Sequence, residues 1–201
     1  MNADEALKSL MDGNKRYLAG KSTYGWNKKT TDKDKREQLA NTQNPIAIIV
    51  GCSDSRVPPE IIFDQRLGDL FVIRVAGNVV DGVVLGSIEF AEINLSPLPL
   101  LFVLGHNRCN AVTAAVNVAP SERCAKDQIA NILHRIDPAV EEARKLNGPE
   151  LVDDAITANI KNIVEQLKNS KPHLKEAVEN NSLKIVGGRY DLDTGKITMV
   201  A

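Results

Sequence analysis

The sequence predicts an α/β fold with a mostly parallel central sheet, an antiparallel edge strand, flanking helices and an N-terminal helical arm. Short β-branched apolar runs, typical of strands buried on both faces, occur at 46–51, 69–77, 98–105 and 182–191. Stretches with helical spacing lie between them, and this alternation favours a parallel sheet covered on both faces. The tail "YDLDTGKITMV" predicts a hairpin that turns at 193–195 and therefore one antiparallel strand at an edge.

The remaining segments are predicted to be helical or to connect the strands. Residues 4–18 carry apolar side chains near helical spacing. Residues 21–44 are polar and charged, which indicates a long connection with one short helix near 32–40, and Trp26 within it suggests packing on a second subunit. Helices are also expected at 83–93, 111–118, 151–167 and 125–146, the last interrupted by Pro138.

Length and composition narrow the class of protein. A chain of 201 residues, 43% hydrophobic and 25% charged, suits one domain over 1–201, here divided into an arm (1–44) and an α/β core (45–201). A net charge of −1 gives no reason to expect a nucleic acid or membrane surface as partner. The apolar runs are shorter than the roughly 20 residues needed to span a bilayer. The N-terminus lacks the apolar core of a signal peptide, so we expect a cytoplasmic protein.

Two of the three cysteines lie in turns that follow predicted strands. Cys52 follows the first strand, and "GHNRCN" places His106 and Cys109 after the third. Since ligands bind at the carboxyl edge of such sheets, these side chains are expected to meet. Two thiolates and one imidazole suit Zn²⁺, and three protein ligands leave one position open for chemistry. Taken singly, each of these residues is more often an ordinary buried cysteine or loop histidine.

Asp54 and Arg56 follow Cys52 closely in "VGCSDSRV". Asp54 could fill the fourth zinc position. Alternatively it stays off the metal and accepts a hydrogen bond from zinc-bound hydroxide, with Arg56 holding it ionised through a bidentate pair. A plain surface salt bridge of little energetic value is the third interpretation.

These two motifs together resemble the β-class carbonic anhydrases, whose signature is C-x-D-x-R followed by H-x-x-C. The resemblance extends from about Gln43 through "GDLFVIRVAGN" (68–78) and "GSIEFA" (86–91) to Cys109. It implies one zinc ion per chain held by Cys52, His106 and Cys109, with Asp54 and Arg56 as the catalytic dyad.

The resemblance also implies an activity, a substrate site and an assembly. The activity is the reversible hydration of CO2 to bicarbonate and a proton by zinc-bound hydroxide. Gln43 would bind substrate, typically from the neighbouring subunit of a homodimer or larger homo-oligomer. Phe71, Ala76 and Phe90 would form the apolar CO2 pocket.

One departure from the family pattern is Asn110, which stands where the family usually has glycine after the second zinc cysteine. The change could alter the zinc loop or the pocket mouth, because glycine allows close approach and unusual φ. It keeps open an alternative activity on the same scaffold, hydrolysis of COS or CS2. A different class of function is a non-catalytic zinc- or bicarbonate-binding assembly protein, against which the intact Asp54 and Arg56 speak.

Overall fold

A computed structural model of the chain describes residues 1–24, 33–95, 97–124 and 127–201. Trp26, and with it the prediction that this side chain packs on a second subunit, lies outside the described residues.

The described residues form a five-stranded sheet in the order β2-β1-β3-β4-β5. The strands are β1 (Ala47–Cys52), β2 (Leu70–Val75), β3 (Leu100–His106), β4 (Lys184–Tyr190) and β5 (Ile197–Met199). Neighbouring strands from β2 to β4 are parallel, and β5 is antiparallel to β4. The predicted fold class, with its single antiparallel edge strand, is confirmed.

The burial of each strand follows from its place in the sheet. Every residue of β1 and β3 is buried, because both strands lie inside the sheet and are covered on both faces. Every residue of β2 is only partly buried, although all residues of "LFVIRV" except Arg74 are apolar. This edge strand therefore carries apolar side chains that its own protomer covers only in part.

The helices surround this sheet and match the predicted pattern with two additions. They are α1 (Ala3–Leu18), α2 (Lys33–Leu39), α3 (Pro59–Ile62), α4 (Gly82–Asn94), α5 (Asn110–Asn117), α6 (Gln128–Leu146), α7 (Leu151–Lys168) and α8 (His173–Glu179). The short helices α3 and α8 were not predicted. Pro138 does not end α6, contrary to the expected interruption, because buried side chains on both sides of it, such as Ile136 and Val140, keep one face of the helix on the core.

Helix α1 packs on the core of its own chain. Leu10 is fully buried, and the Asn14 amide donates hydrogen bonds to the carbonyls of Ile62 (3.2 Å) and Gly195 (2.9 Å). The first part of the predicted arm is thus docked on this protomer, while the division of the chain into arm and core stays a prediction. Among the described residues, no helix is both long and apolar enough to cross a membrane.

The sheet topology brings two strand ends together. β1 and β3 are parallel neighbours, and their last residues are Cys52 and His106. Val75 at the end of β2 lies opposite Cys52. The carboxyl ends of these three strands therefore form one edge, at which the candidate site lies.

Candidate metal centre

Three ligand side chains converge at this edge. Cys52 ends β1, His106 ends β3, and Cys109 immediately precedes α5. All three residues are buried, and their ligand atoms lie within 4.8 Å of one another. The two Sγ atoms are 3.9 Å apart. Two sulfurs about 2.3 Å from one tetrahedral ion would be roughly 3.8 Å apart, so the observed separation fits a shared zinc ion.

His106 is oriented with one ring nitrogen toward the two sulfurs. Its Nδ1 lies 2.8 Å from the Asn107 carbonyl oxygen, which fixes Nδ1 as the donor and leaves a lone pair on Nε2. Nε2 is buried and has no hydrogen-bond partner among the described residues. A buried nitrogen without a partner is costly, and a metal ion would satisfy it, so the donor set fits zinc.

The two thiols act on one another. The two sulfurs share one hydrogen bond in which either can be the donor, and this interaction lowers the pKa of Cys52 and raises the pKa of Cys109. The Gly77 amide also donates to the Cys52 sulfur at 3.4 Å. One of the two sulfurs is therefore stabilised as a thiolate before any cation binds, and metal binding would release the proton from the other.

Asp54 lies beside the three ligands and is held by Arg56. The guanidinium donates from Nε to Oδ1 (2.9 Å) and from Nη2 to Oδ2 (2.7 Å), and the Arg56 amide donates to Oδ1 (2.9 Å). These bonds lower the pKa of Asp54 to about 2. Asp54 Oδ2 is also 3.9 Å from His106 Nε2. The carboxylate therefore faces the metal position while remaining paired with Arg56, which separates this pair from a plain surface salt bridge.

The predicted substrate residues lie at different distances from the metal ligands. Ala76 lies next to the ligands, between Val75, which is opposite Cys52, and Gly77. Phe71 pairs with Ile48, four residues before Cys52, and so lies roughly 13 Å back along the strands.

Two further predicted substrate residues, like Phe71, are not beside the ligands of this protomer. Gln43 precedes β1 and lines a surface pocket with Asn44 and Asn94 at the opposite edge of the sheet from Cys52. Phe90 on α4 is 56% exposed. A single protomer therefore does not assemble the whole set of predicted substrate residues.

Asn110 does not strain the ligand loop. It is the first residue of α5 and is exposed. The left-handed backbone conformation in this loop falls on Arg108 (φ 51°) instead. The backbone conformation at position 110 therefore does not require a glycine, and an effect of this substitution on the zinc loop or the pocket mouth stays a prediction.

Two polar residues that support the ligand loops were missed from the sequence. Arg74 donates hydrogen bonds to the carbonyl oxygens of Cys52 (2.8 Å) and Asp54 (2.5 Å). The Asn107 amide donates to Asp191 (3.1 Å) and accepts from the Leu192 backbone (2.8 Å). For Arg74 the available signal was a charged residue inside the apolar run "LFVIRV". Asn107 offers no comparable signal, because its partners lie more than 80 residues away.

Comparison with known proteins gives the same family from sequence and from structure. A family model described as carbonic anhydrase matches residues 47–197. Carbonic anhydrase 2 of Mycobacterium tuberculosis is 39% identical over 198 residues, which cover 98% of this chain and 93% of that protein. The carbonic anhydrase of Pseudomonas aeruginosa is 34% identical over 171 residues, covering 80% and 76% of the two chains.

Solved structures agree with this assignment. The β-carbonic anhydrase CcaA superimposes with a TM-score of 0.75 at 25% identity, over 96% of this chain and 94% of that one. One of two tetrameric β-carbonic anhydrases from Sordaria macrospora has the same fold, with a TM-score of 0.74 at 22% identity over 98% of each chain. The match to the family model and the 39% identity over nearly the whole chain show that this protein belongs to the β-class carbonic anhydrase family of enzymes.

Proposed function

We propose that this protein is a zinc-dependent carbonic anhydrase that interconverts CO2 and bicarbonate. The observation that carries the proposal is a buried cluster of two sulfurs and an unpartnered imidazole nitrogen beside an ionised carboxylate. The names of the relatives from Mycobacterium tuberculosis and Pseudomonas aeruginosa support the same activity.

Cys52, His106 and Cys109 would hold the zinc ion and leave one of four tetrahedral positions for solvent or substrate. When bound there, zinc lowers the pKa of a coordinated water molecule and so supplies a nucleophile at neutral pH. Two thiolates cancel the formal charge of Zn²⁺ and weaken it as a Lewis acid. The charged side chains of Asp54 and Arg56 beside the zinc position would compensate for this weaker Lewis acid.

Asp54 would orient the nucleophile. An ionised carboxylate can only accept hydrogen bonds, so Asp54 would accept a hydrogen bond from the O–H group of the nucleophile. A lone pair on the oxygen of the nucleophile would then stay free to attack the substrate. Arg56 keeps the carboxylate ionised and fixed through the bidentate pair. The side chain of Arg56 is 48% exposed, so solvent is close enough to receive the proton that the reaction releases.

The substrate is small, linear and uncharged, which suits a pocket with few polar groups. Ala76 offers an apolar surface next to Cys52. Because Phe71 and Phe90 lie away from the ligands of their own protomer, they would complete the pocket across the subunit interface, and Gln43 of the partner subunit would hydrogen-bond the substrate.

This arrangement requires a homodimer or a larger homo-oligomer. Two observations support it: Gln43 lies too far from the metal ligands of its own chain, and α4 exposes Val83 (78%), Phe90 (56%) and Ile93 (53%). These apolar side chains, together with the partly buried edge strand β2, form a surface that a second copy would cover.

The proposal is tested by stopped-flow CO2 hydration with a parallel zinc assay. We expect activity in proportion to bound zinc, loss of activity with a chelator and recovery on adding zinc. A zinc-loaded, folded protein without CO2 hydration would overturn the proposal and leave the non-catalytic zinc or bicarbonate protein as the better interpretation. Sulfide release from COS or CS2 can be followed in the same samples.

The cytoplasmic location stays a prediction from the sequence.

A further inference from the structure

Arg74 occupies a distinctive position beside the metal ligands. It lies in β2 opposite Gly51, one residue before the opposed pair formed by Cys52 and Val75. The side chain is half-buried, and its guanidinium reaches across the end of β1. Nε donates to the Cys52 carbonyl oxygen at 2.8 Å, and Nη2 donates to the Asp54 carbonyl oxygen at 2.5 Å.

The two acceptors belong to the residues that carry a metal ligand and the dyad carboxylate. The chain leaves the sheet here, and the remaining main-chain bonds of this turn are a link from the Ser53 amide to the Val75 carbonyl (3.2 Å) and one from the Val57 amide to the Asp54 carbonyl (3.1 Å). Arg74 therefore fixes the main chain of Asp54, while Arg56 fixes its side chain. Because the main chain of Asp54 is held, its carboxylate can move between Arg56 and the ligand cluster only by rotation of the side chain.

We propose that Arg74 is a positioning residue that holds Cys52 and Asp54 in the relative placement the metal centre requires. The proposal deepens the function proposed above and rests on it. Only arginine supplies two rigidly spaced donors at this point, because lysine presents a single point charge that cannot span both carbonyls in a fixed geometry. Groups that orient metal ligands from outside typically change metal affinity or activity 10- to 100-fold when removed.

The test uses Arg74→Lys, which keeps the charge and removes the two-donor geometry. Arg189→Lys is the matched control: Arg189 lies in β4 opposite Gly105, one residue before the ligand His106, but its guanidinium bonds to Asp153 on α7. Both variants are made also in the Asp54→Asn background. The measurements are zinc affinity by chelator competition, the visible spectrum of the Co²⁺-substituted protein, and kcat and KM per bound zinc.

We expect Arg74→Lys to lower kcat about tenfold or more with KM within about twofold, and to change the Co²⁺ spectrum. In the Asp54→Asn background the same change should cost less in kcat than it does in the wild-type background, because the part of its effect that acts through Asp54 is already lost. The change in the Co²⁺ spectrum should remain, because it reports the placement of Cys52. Arg189→Lys should leave all of these quantities unchanged.

Three results would overturn the proposal: wild-type kcat and spectrum in Arg74→Lys, a loss that adds fully to that of Asp54→Asn, or a variant that fails to fold. The last would make Arg74 a purely structural residue. Should the wild-type protein bind zinc without hydrating CO2, the proposed function fails first. The Co²⁺ spectrum and the zinc affinity then test the role of Arg74 without the activity. A change in Arg74→Lys but not in Arg189→Lys supports the positioning role, and values unchanged from wild type in both variants contradict it.

Discussion

Replacing Asp54 with asparagine separates orientation of the nucleophile from binding of the metal. Asp54 accepts three hydrogen bonds from Arg56, two from the guanidinium and one from the amide. Asparagine has the same shape but only one acceptor oxygen. Its NH2 group must then face either the guanidinium, where two donors collide, or the metal position, where it can no longer accept a hydrogen bond.

The size of the effect follows from the bond that is lost. A hydrogen bond to a charged group contributes about 1.5–3 kcal/mol. At about 1.4 kcal/mol for each factor of ten, we expect Asp54→Asn to lower kcat/KM roughly 10- to 150-fold. Zinc content should stay at one ion per chain, because Cys52, His106 and Cys109 are unchanged.

The assay is stopped-flow CO2 hydration at matched zinc occupancy. Asp193→Asn is the control, because Asp193 also pairs with an arginine, Arg108 (2.7 Å), next to the ligand Cys109, but its side chain is 66% exposed. The control should retain wild-type activity. Activity within about twofold of wild type in zinc-loaded Asp54→Asn would refute the orienting role.

Further changes test the metal ligands, the packing of α1, the assembly of subunits and the loss of stability at low pH. Cys109→Ala should abolish zinc binding and activity together, as measured by metal analysis; a zinc-replete variant would contradict the ligand assignment. Gly13→Ala should destabilise the fold by about 1–3 kcal/mol in urea titration, because its Cβ would lie 1.7 Å from the Phe63 carbonyl oxygen; an unchanged midpoint would show that α1 is not docked as described. Phe90→Glu should shift the sedimentation coefficient toward that of a monomer, and an unchanged value would exclude α4 from the interface. Because the folded pKa of Asp54 is lowered from 3.8 to about 2, the stability it contributes is present above about pH 4 and is lost between about pH 4 and 2. The melting temperature of the metal-free wild type should therefore fall further between about pH 4 and 2 than that of metal-free Asp54→Asn. Parallel curves of melting temperature against pH would contradict the pKa shift.

The features that sequence predicts well are those set by local pattern. Apolar β-branched runs such as 46–51 and 98–105 are continuous because both faces of these strands are covered, and that continuity is readable without the fold. The convergence of Cys52 with His106 follows from a general property of parallel sheets, since strand ends of neighbouring strands share one edge.

The features that sequence does not predict depend on distant partners. α3 and α8 are only four and seven residues long and carry too few apolar positions to define a helical period. The docking of α1 depends on Asn14 meeting carbonyl groups 48 and 181 residues away. The role of Arg74 depends on main-chain carbonyls, which every residue has and no sequence pattern marks.

The central claim is that Cys52, His106 and Cys109 together bind a single zinc ion. Extended X-ray absorption fine structure at the zinc edge of purified protein tests it most directly. The account predicts one zinc per chain with two sulfurs at about 2.3 Å and two lighter ligands, nitrogen or oxygen, at about 2.0–2.2 Å. A folded protein that binds no zinc, or a zinc shell without two sulfurs, would contradict it.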